Sequence, residues 1–303
     1  MILITGASGV LGTALKAELD RQGREYTAIS SEDVNLCDSE STFAAINAIS
    51  PKIIFHGAAR VHGLGGNSRY PAEMYFDNIR INTNVVEAAR RAGCAKVVAI
   101  STVAIYSSGA QRPISEASIW EGPPHQSEAA YGHAKRAMLG QLEAYHAQYG
   151  MDFAYPIMTN IYGPNDRFDP LYGHVVPSLV SKFHAAATDG SEVGVWGTGI
   201  AERDFIYADD AARALVLIGD RHSGPVNVAT GAVVKIRDVV RALQNHSGVQ
   251  RVAWDASKPD GQLLRDYDVS ALKGLGFQPE VSLEEGLRRT YQWYADAYPN
   301  VRK

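Results

Sequence analysis

An apolar run and three evenly spaced glycines follow one another with nothing between them. Met1-Ile-Leu-Ile-Thr5 leads straight into Gly6-Ala-Ser-Gly9-Val-Leu-Gly12. The apolar run reads as a buried strand. Val10, Leu11, Ala14, Leu15 and Leu19 then fall on one stripe of a helix that begins inside the glycine set. In this context each glycine has a separate purpose. Gly6 permits a tight turn, Gly9 lets backbone approach a diphosphate, and Gly12 lets the helix lie close to the strand. The helix N-terminus offers unbonded N–H groups to phosphate oxygens. A plain strand-to-helix turn is the alternative, and the immediate strand-and-helix context weighs against it.

The same alternation continues. Residues 25–29 read as a strand, Asp38 as the cap of a helix through Ile49, and residues 52–56 as the next strand. Residues 71–92 are mainly helical and stop at Gly93, and residues 96–101 form a further strand. Alternating strands and helices predict an α/β fold with a doubly wound parallel sheet. Ligands of such sheets bind at the carboxyl ends of strands, which here carry Gly6, Ala58-Ala59-Arg60, Ser101-Thr102 and the Asn160 region. A length of 303 residues leaves room for a second, smaller α/β domain. We place the first domain at residues 1–163, with segments around 200–230 returning to it, and the second at 164–303. The last helix starts at a capping box, Ser282-Leu-Glu-Glu285, and Leu283, Leu287 and Tyr291 continue its apolar side.

Composition excludes several classes. The net charge of −4 argues against nucleic-acid binding through a broad basic face. Two cysteines without paired spacing, Cys37 and Cys94, fit a reducing compartment and argue against a disulfide frame or a cysteine-rich metal site. No stretch approaches the length of a membrane span. The expectation is a soluble cytoplasmic protein with no membrane or nucleic-acid partner and no metal.

Ser127-Glu-Ala-Ala-Tyr-Gly-His-Ala-Lys135 puts Tyr131 and Lys135 four apart at the start of a helical run, hence on one helix face. An ammonium beside a phenol favours the phenolate and makes the phenol a better proton donor or acceptor near neutral pH. In a chain with 15 tyrosines this spacing also arises by chance, with both groups on a solvated surface.

Gly6-x-x-Gly9-x-x-Gly12, then Ser101-Thr102 at a strand end, then Tyr131-x-x-x-Lys135, together resemble the extended short-chain dehydrogenase/reductase (NAD-dependent epimerase/dehydratase) family. Asn78 and Asn84 match its pattern too, with a helix-surface amide the competing reading for Asn84. The resemblance implies a Rossmann-type domain. It also implies a proton-transfer set of Tyr131, Lys135 and Thr102, or less directly Ser101, beside a nicotinamide. It further implies a dinucleotide site of Gly6, Ser8, Gly9, Val10, Leu11, Gly12, Leu36, Ala58, Ala59, Arg60, Lys135 and Asn160. The cofactor implied is NADP(H), with NAD(H) left open because Ser30-Ser31-Glu32-Asp33 follow the second strand and Ser8 stands where the pattern has arginine.

The second half narrows this to sugar-nucleotide members. Thr159-Asn160-Ile-Tyr-Gly-Pro164, His174-Val-Val-Pro177, Lys182-Phe-His184, Val195-Trp-Gly-Thr-Gly199, Arg203 to Asp210 and Lys258-Pro-Asp-Gly261 carry the likeness. It extends over essentially the whole chain. Such members take a GDP-linked 4-keto-6-deoxy sugar, epimerise C3 and C5, and reduce the C4 ketone. Lys182, Arg203, Lys258, Asp260, Arg265 and His174 are then substrate-side residues. Trp196 is either a stacking platform or a core residue. The resemblance also implies a homodimer with the Tyr131 helix at its interface.

The match breaks at Ala104, where the pattern has a cysteine assigned as the base of epimerisation, opposite His174 as acid. Alanine cannot abstract a proton. The expectation is a C4 reductase without epimerisation. A bifunctional epimerase-reductase is the alternative, and a non-catalytic dinucleotide sensor is the alternative of another class. Met158 replaces a proline of the pattern near the nicotinamide. The Gly63–Ser68 loop is expected at the pocket.

Overall fold

The computed structural model describes residues 1–61, 69–258, 260 and 262–303. The Gly63–Ser68 loop, and Pro259 and Gly261 of the Lys258–Gly261 motif, lie outside the described residues.

A parallel sheet forms the larger part. Its order is β2 (Tyr26–Ile29), β1 (Ile2–Thr5), β3 (Ile53–His56), β4 (Lys96–Ala99), β6 (Asp152–Met158) and β10 (Gly224–Val228). The two-residue β5 (Ser101–Thr102) pairs with Ile157 and Met158 at the end of β6. β1 pairs in register with both neighbours, Ile2 opposite Tyr26 on one side and Ile53 on the other. The chain therefore leaves β1 for one side and returns to the other, which opens a crevice at the carboxyl ends of β1 and β3.

The strands are apolar on both faces, as a covered parallel sheet requires. Leu3, Ile54 and Val97 face a core shared with α2 (Ser39–Ile49), α3 (Pro71–Arg91) and α4 (Ala129–Tyr149). Ile2, Ile4, Phe55 and Val98 face the opposite core, with Leu15 and Leu19 of α1 (Val10–Arg21) and Ala211 and Leu215 of α6 (Ala208–Arg221). α6 and β10, late in sequence, thus cover and extend the first sheet.

A smaller part carries two further sheets, β7 (Asn160–Tyr162), β9 (Glu202–Tyr207) and β11 (Val233–Lys235) in one, β8 (Val193–Trp196) and β12 (Val252–Asp255) in the other. Its core joins Leu179 and Phe183 of α5 (Val175–Asp189), Val239 and Leu243 of α7 (Ile236–Ser247), and Leu287 and Tyr294 of α9 (Leu283–Ala297). The short α8 (Ser270–Gly274) sends Leu272 back into the α1–α6 core. No helix among the described residues is long and apolar enough to cross a membrane.

Local signals are seen at the element ends. The Asp38 side chain accepts from Ser41 N at 2.7 Å and caps α2, and Gly93 takes φ +67 after α3. The capping box at α9 is only half made. Ser282 Oγ accepts from Glu285 N at 3.3 Å, but the Glu285 carboxylate turns to Arg288 and Arg289 at 2.8 and 2.7 Å.

One contact sets the position of α4. Next to Tyr131, Gly132 lies so close to its neighbours that a Cβ would stand 2.6 Å from the Ala104 carbonyl and 2.9 Å from Pro124. Both partners are backbone or ring and cannot yield. Gly132→Ala is expected to cost about 1–3 kcal/mol in chemical denaturation, as an overpacked contact does. It should also shift the Tyr131–Lys135 face of the helix.

Candidate active site

A cavity of about 810 Å³ opens between the two parts, lined by the glycine loop, the ends of β1, β3 and β5, the start of α4, and residues of α5, β8 and β9. The loop is shaped for an anion. Gly6 has φ +75, and a Cβ there would meet Ala58 N at 2.7 Å, while one on Gly12 would fall 2.3 Å from Gly6 O. A Cβ on Gly9 would touch only Gly6 O at 3.6 Å and the Arg302 guanidinium at 3.7 Å. Gly6 and Gly12 are therefore bound by packing, and Gly9 leaves its backbone open at the N-terminus of α1. This is the cradle that a dinucleotide diphosphate fits.

A buried network beneath the loop escaped the sequence reading. Thr5 Oγ1 lies 2.8 Å from His56 Nδ1, and His56 Nε2 lies 3.1 Å from Asn82 Oδ1. Asn82 Nδ2 donates to the Ala134 carbonyl at 3.4 Å, so its oxygen accepts from His56 and the Thr5 hydroxyl donates to Nδ1. Thr5 Oγ1 then accepts Ala58 N at 3.2 Å. Burial, aided by the charge of Lys135, pushes the His56 pKa down to about 3 and keeps the ring neutral. The available signal was Asn82 four residues after Asn78, on the same helix face. Asn78 clamps the next segment, accepting Arg60 N at 3.1 Å and donating to Arg60 O at 2.9 Å. Asn84 donates to Leu36 O at 2.9 Å and so is not a free surface amide.

Ser8, Gly9, Val10, Leu11, Leu36, Ala58, Ala59, Arg60 and Asn160 all line the cavity. Two of them are partly engaged. The Arg60 guanidinium is ion-paired with Asp77, and Asn160 Nδ2 donates to Asp204 O at 2.8 Å. After β2, Asp33 folds back and accepts from Ser30 N and Ser30 Oγ, both at 2.8 Å. Ser30 and Ser31 line the cavity there, and neither Glu32 nor Asp33 does.

Tyr131, Lys135, Ser101 and Thr102 all line the cavity. Ser101 is buried. Thr102 Oγ1 accepts Ala104 N at 3.2 Å, which leaves its proton to donate into the cavity. Lys135 is 1% exposed, with Nζ 2.8 Å from the Ile100 carbonyl and 5.8 Å from the centre of the Tyr131 ring. The expected lowering of the Tyr131 pKa by Lys135 is not found. Burial and then the Glu128 carboxylate hold the phenol above its usual range. Burial lowers the Lys135 pKa to about 7, which weakens the very cation that was to act on the phenol.

On the substrate side His174, Lys182, Trp196, Arg203, Asp260 and Arg265 reach the cavity. Lys258 does not line it and sits instead 5.8 Å from the Trp196 ring. Trp196 is 51% exposed, against the core reading. Asp260 is committed to a turn, accepting from Thr198 N, Thr198 Oγ1 and Gly199 N at 2.7, 2.8 and 3.3 Å. Arg265 donates to Glu128 and Gln262, both at 2.6 Å. Arg203 Nη1 donates to Glu202 O at 2.8 Å, and burial and then Arg265 lower its pKa. The Lys182 pKa is lowered by burial.

Ala104 is buried at the cavity wall. Cys37 enters the cavity on the β2 side, near Asp77, while Cys94 is buried with its thiol toward the Lys52 carbonyl at 3.3 Å. The sequence reading also missed His125, which lines the cavity with Nδ1 2.7 Å from Ser127 Oγ, and Asp166 and Arg302.

A profile described as the NAD dependent epimerase/dehydratase family matches residues 2–229. The chain is 33% identical to the GDP-L-fucose synthase of Escherichia coli (strain K12), over 99% of this chain and 98% of that one. It is 35% identical to the probable GDP-L-fucose synthase 1 of Oryza sativa subsp. japonica, over 100% and 94%. The fold superposes on a GDP-L-fucose synthetase from Naegleria fowleri bound to NADP with a TM-score of 0.92, at 26% identity over 100% and 96% of the two chains. It superposes on a GDP-6-OMe-4-keto-L-xylo-heptose reductase from C. jejuni with a TM-score of 0.89, at 25% identity over 97% of each.

The Lys135 shift makes a stability prediction. A lysine at 10.5 unfolded and about 7 folded is protonated only in the unfolded chain between those values. The unfolded state then binds more protons, so stability rises with pH through that window. Lys135→Met is expected to flatten the rise between pH 7 and about 10 in denaturant titrations, by removing the group that produces it.

Proposed function

The chain belongs to the NAD dependent epimerase/dehydratase family, and we propose that it reduces the C4 ketone of a GDP-linked 4-keto-6-deoxy sugar with NADPH, leaving C3 and C5 unchanged. The observation that carries this reading is that Thr102, Tyr131 and Lys135 line the same cavity as the glycine loop, with Lys135 Nζ 5.8 Å from the Tyr131 ring. The relatives named for GDP-L-fucose synthesis, and the neighbour bound to NADP, support the substrate class and the cofactor. The serines after β2 line the cavity while Glu32 and Asp33 do not, and the Asp77 carboxylate that also lines it is paired with Arg60, which leaves room for a ribose phosphate.

Bound NADPH supplies hydride to the ketone carbon. Tyr131 gives its phenolic proton to the oxygen that becomes an alkoxide, and Thr102 donates a hydrogen bond to the same oxygen as charge develops. Lys135 holds the cofactor ribose. An anionic dinucleotide nearby favours its charged form, which in turn lowers the phenol toward the working range. In this reading the cation and phenol are coupled by the cofactor and not in its absence. Lys182 and the unused arm of Arg203 take the GDP diphosphate, to which a guanidinium fork is suited. Arg265, held by Glu128, adds positive field there. Trp196 offers an exposed face for stacking. The larger part thus serves as the dinucleotide domain and the smaller as the sugar-nucleotide domain. Exposed Tyr75 and Phe76 on α3 and Tyr149 on α4 support a homodimer through those helices.

Ala104 carries the proposal that epimerisation is lost. His174 remains, but inversion needs a second group to take the proton from the opposite face. A second reading, the bifunctional epimerase-reductase, is favoured by His125, which follows Pro124 in the Gly132–Ala104 contact and brings an imidazole into the cavity.

Turnover of GDP-4-keto-6-deoxymannose with NADPH in heavy water separates the two. The reductase leaves C3 and C5 unlabelled by NMR and keeps their configuration, whereas deuterium at either carbon selects the bifunctional reading. Tyr131→Phe is expected to lower kcat at least about a hundredfold, as loss of a general acid does. NADPH affinity should change little.

A further inference from the structure

The diphosphate cradle has one cation that no motif supplied. Arg302 follows α9, and its own segment is tied to the smaller part. Phe168 N donates to the Arg302 carbonyl at 2.8 Å, Val301 packs against the core that contains Phe168, and Phe168 stacks on Trp293 at 5.7 Å. From that anchorage the guanidinium crosses to the glycine loop of the larger part. Its Nη1 stands 3.7 Å from the point a Gly9 Cβ would occupy, above the open backbone at the N-terminus of α1.

This is a costly place for a cation. The end of α1 carries the positive pole of the helix and unbonded N–H groups. A guanidinium beside it adds a second positive source to the same spot, so an anion there would gain from both. Among the described residues, Asp166 feels the charge of Arg302; it is 5% exposed and lines the cavity. Its Oδ1 accepts Arg167 N at 2.7 Å, while Oδ2 has no partner among the described residues. Arg302 and His174 both act on it electrostatically. Ser8, in the loop itself, contributes no charge where the family resemblance has arginine.

We propose that Arg302 binds the diphosphate of the dinucleotide, reaching from the smaller part to close the cradle formed by Gly6, Gly9 and the start of α1. Asp166 offers it a negative charge without a direct ion pair. This rests on the reading that the cavity takes a dinucleotide, and it adds a residue outside the matched motifs. It makes the segment after α9 part of the cofactor site, so that cofactor affinity depends on how the two parts meet.

The test is calorimetric titration of the full chain and its Arg302→Ala, Arg302→Gln and Arg302→Lys variants with NADPH, NADH, adenosine 2′-phosphate and GDP, without sugar substrate. The melting temperature of each unliganded variant checks folding, and Arg302→Gln keeps a polar side chain should Arg302→Ala disturb the segment. The proposal expects NADPH and NADH to weaken together, by about tenfold or more for a charged hydrogen bond to phosphate. Arg302→Lys should lie between. Adenosine 2′-phosphate and GDP should be unchanged. Loss of NADPH affinity alone would make Arg302 a reader of the ribose phosphate, and loss of GDP affinity alone would place it on the substrate. Either result, or no change in any ligand, overturns the proposal. Absence of NADPH binding by the unaltered chain would instead overturn the functional reading.

Discussion

Lys135 is a cation held almost entirely out of water, with the Ile100 carbonyl as its acceptor and the face of Tyr131 above it. Burial alone lowers its pKa to about 7, so a small change in nearby charge switches it between neutral and charged forms. The surrounding structure keeps that balance. β5 aligns the Ile100 carbonyl through its pairing with Met158, Tyr155 donates to the Lys135 carbonyl at 2.8 Å, and Gly132 presses the helix onto Ala104. His56 is kept neutral nearby and adds no second charge. The proposed proton-transfer set is thus a product of packing as much as of the residues themselves.

The cleft depends on topology in the same way. The chain reversal at β1 places the glycine loop beside Ala58 and Ala59, and the clamp of Asn78 on Arg60 fixes that second segment. The opposite wall comes from elements much later in sequence, with Lys182 on α5 and Arg203 on β9. Glu128 and Arg265, 137 residues apart, connect the start of α4 to the wall formed by the smaller part. The same ion pair places a carboxylate near Tyr131, opposing ionisation of the phenol.

Much of the fold was legible because its signals are local. The three glycines, the Asp38 cap and Gly93 act within a turn of the chain, and the two-faced apolar strands announce a covered parallel sheet. What was not legible depends on contacts made across the fold. The roles of Asp33 and Asp260 emerge only when each is seen accepting from the backbone of its own turn or a distant one. Glu285 matches a capping box, yet two arginines one turn on compete for its carboxylate. Trp196 sits on a strand whose side chains alternate between core and solvent, and sequence alone did not give its side. Lys258 carried a matched motif but does not line the cavity, lying over the Trp196 ring instead. His56, His125 and Arg302 belong to no motif and become site residues only through the packing of strands, loops and the segment after α9.

The central claim is that the phenol of Tyr131 and the ammonium of Lys135 become coupled once the dinucleotide is present. Carbon-13 labelling of the tyrosine ζ carbons, with the Tyr131 resonance assigned by its loss in Tyr131→Phe, reports the ionisation of that one phenol against pH. The account predicts a high pKa in the unliganded protein, a fall to well below 10 with NADP⁺ bound, and no such fall in Lys135→Met. A Tyr131 phenol that stays protonated above pH 10 with the oxidised cofactor bound, in a protein that still reduces the ketone, would contradict it.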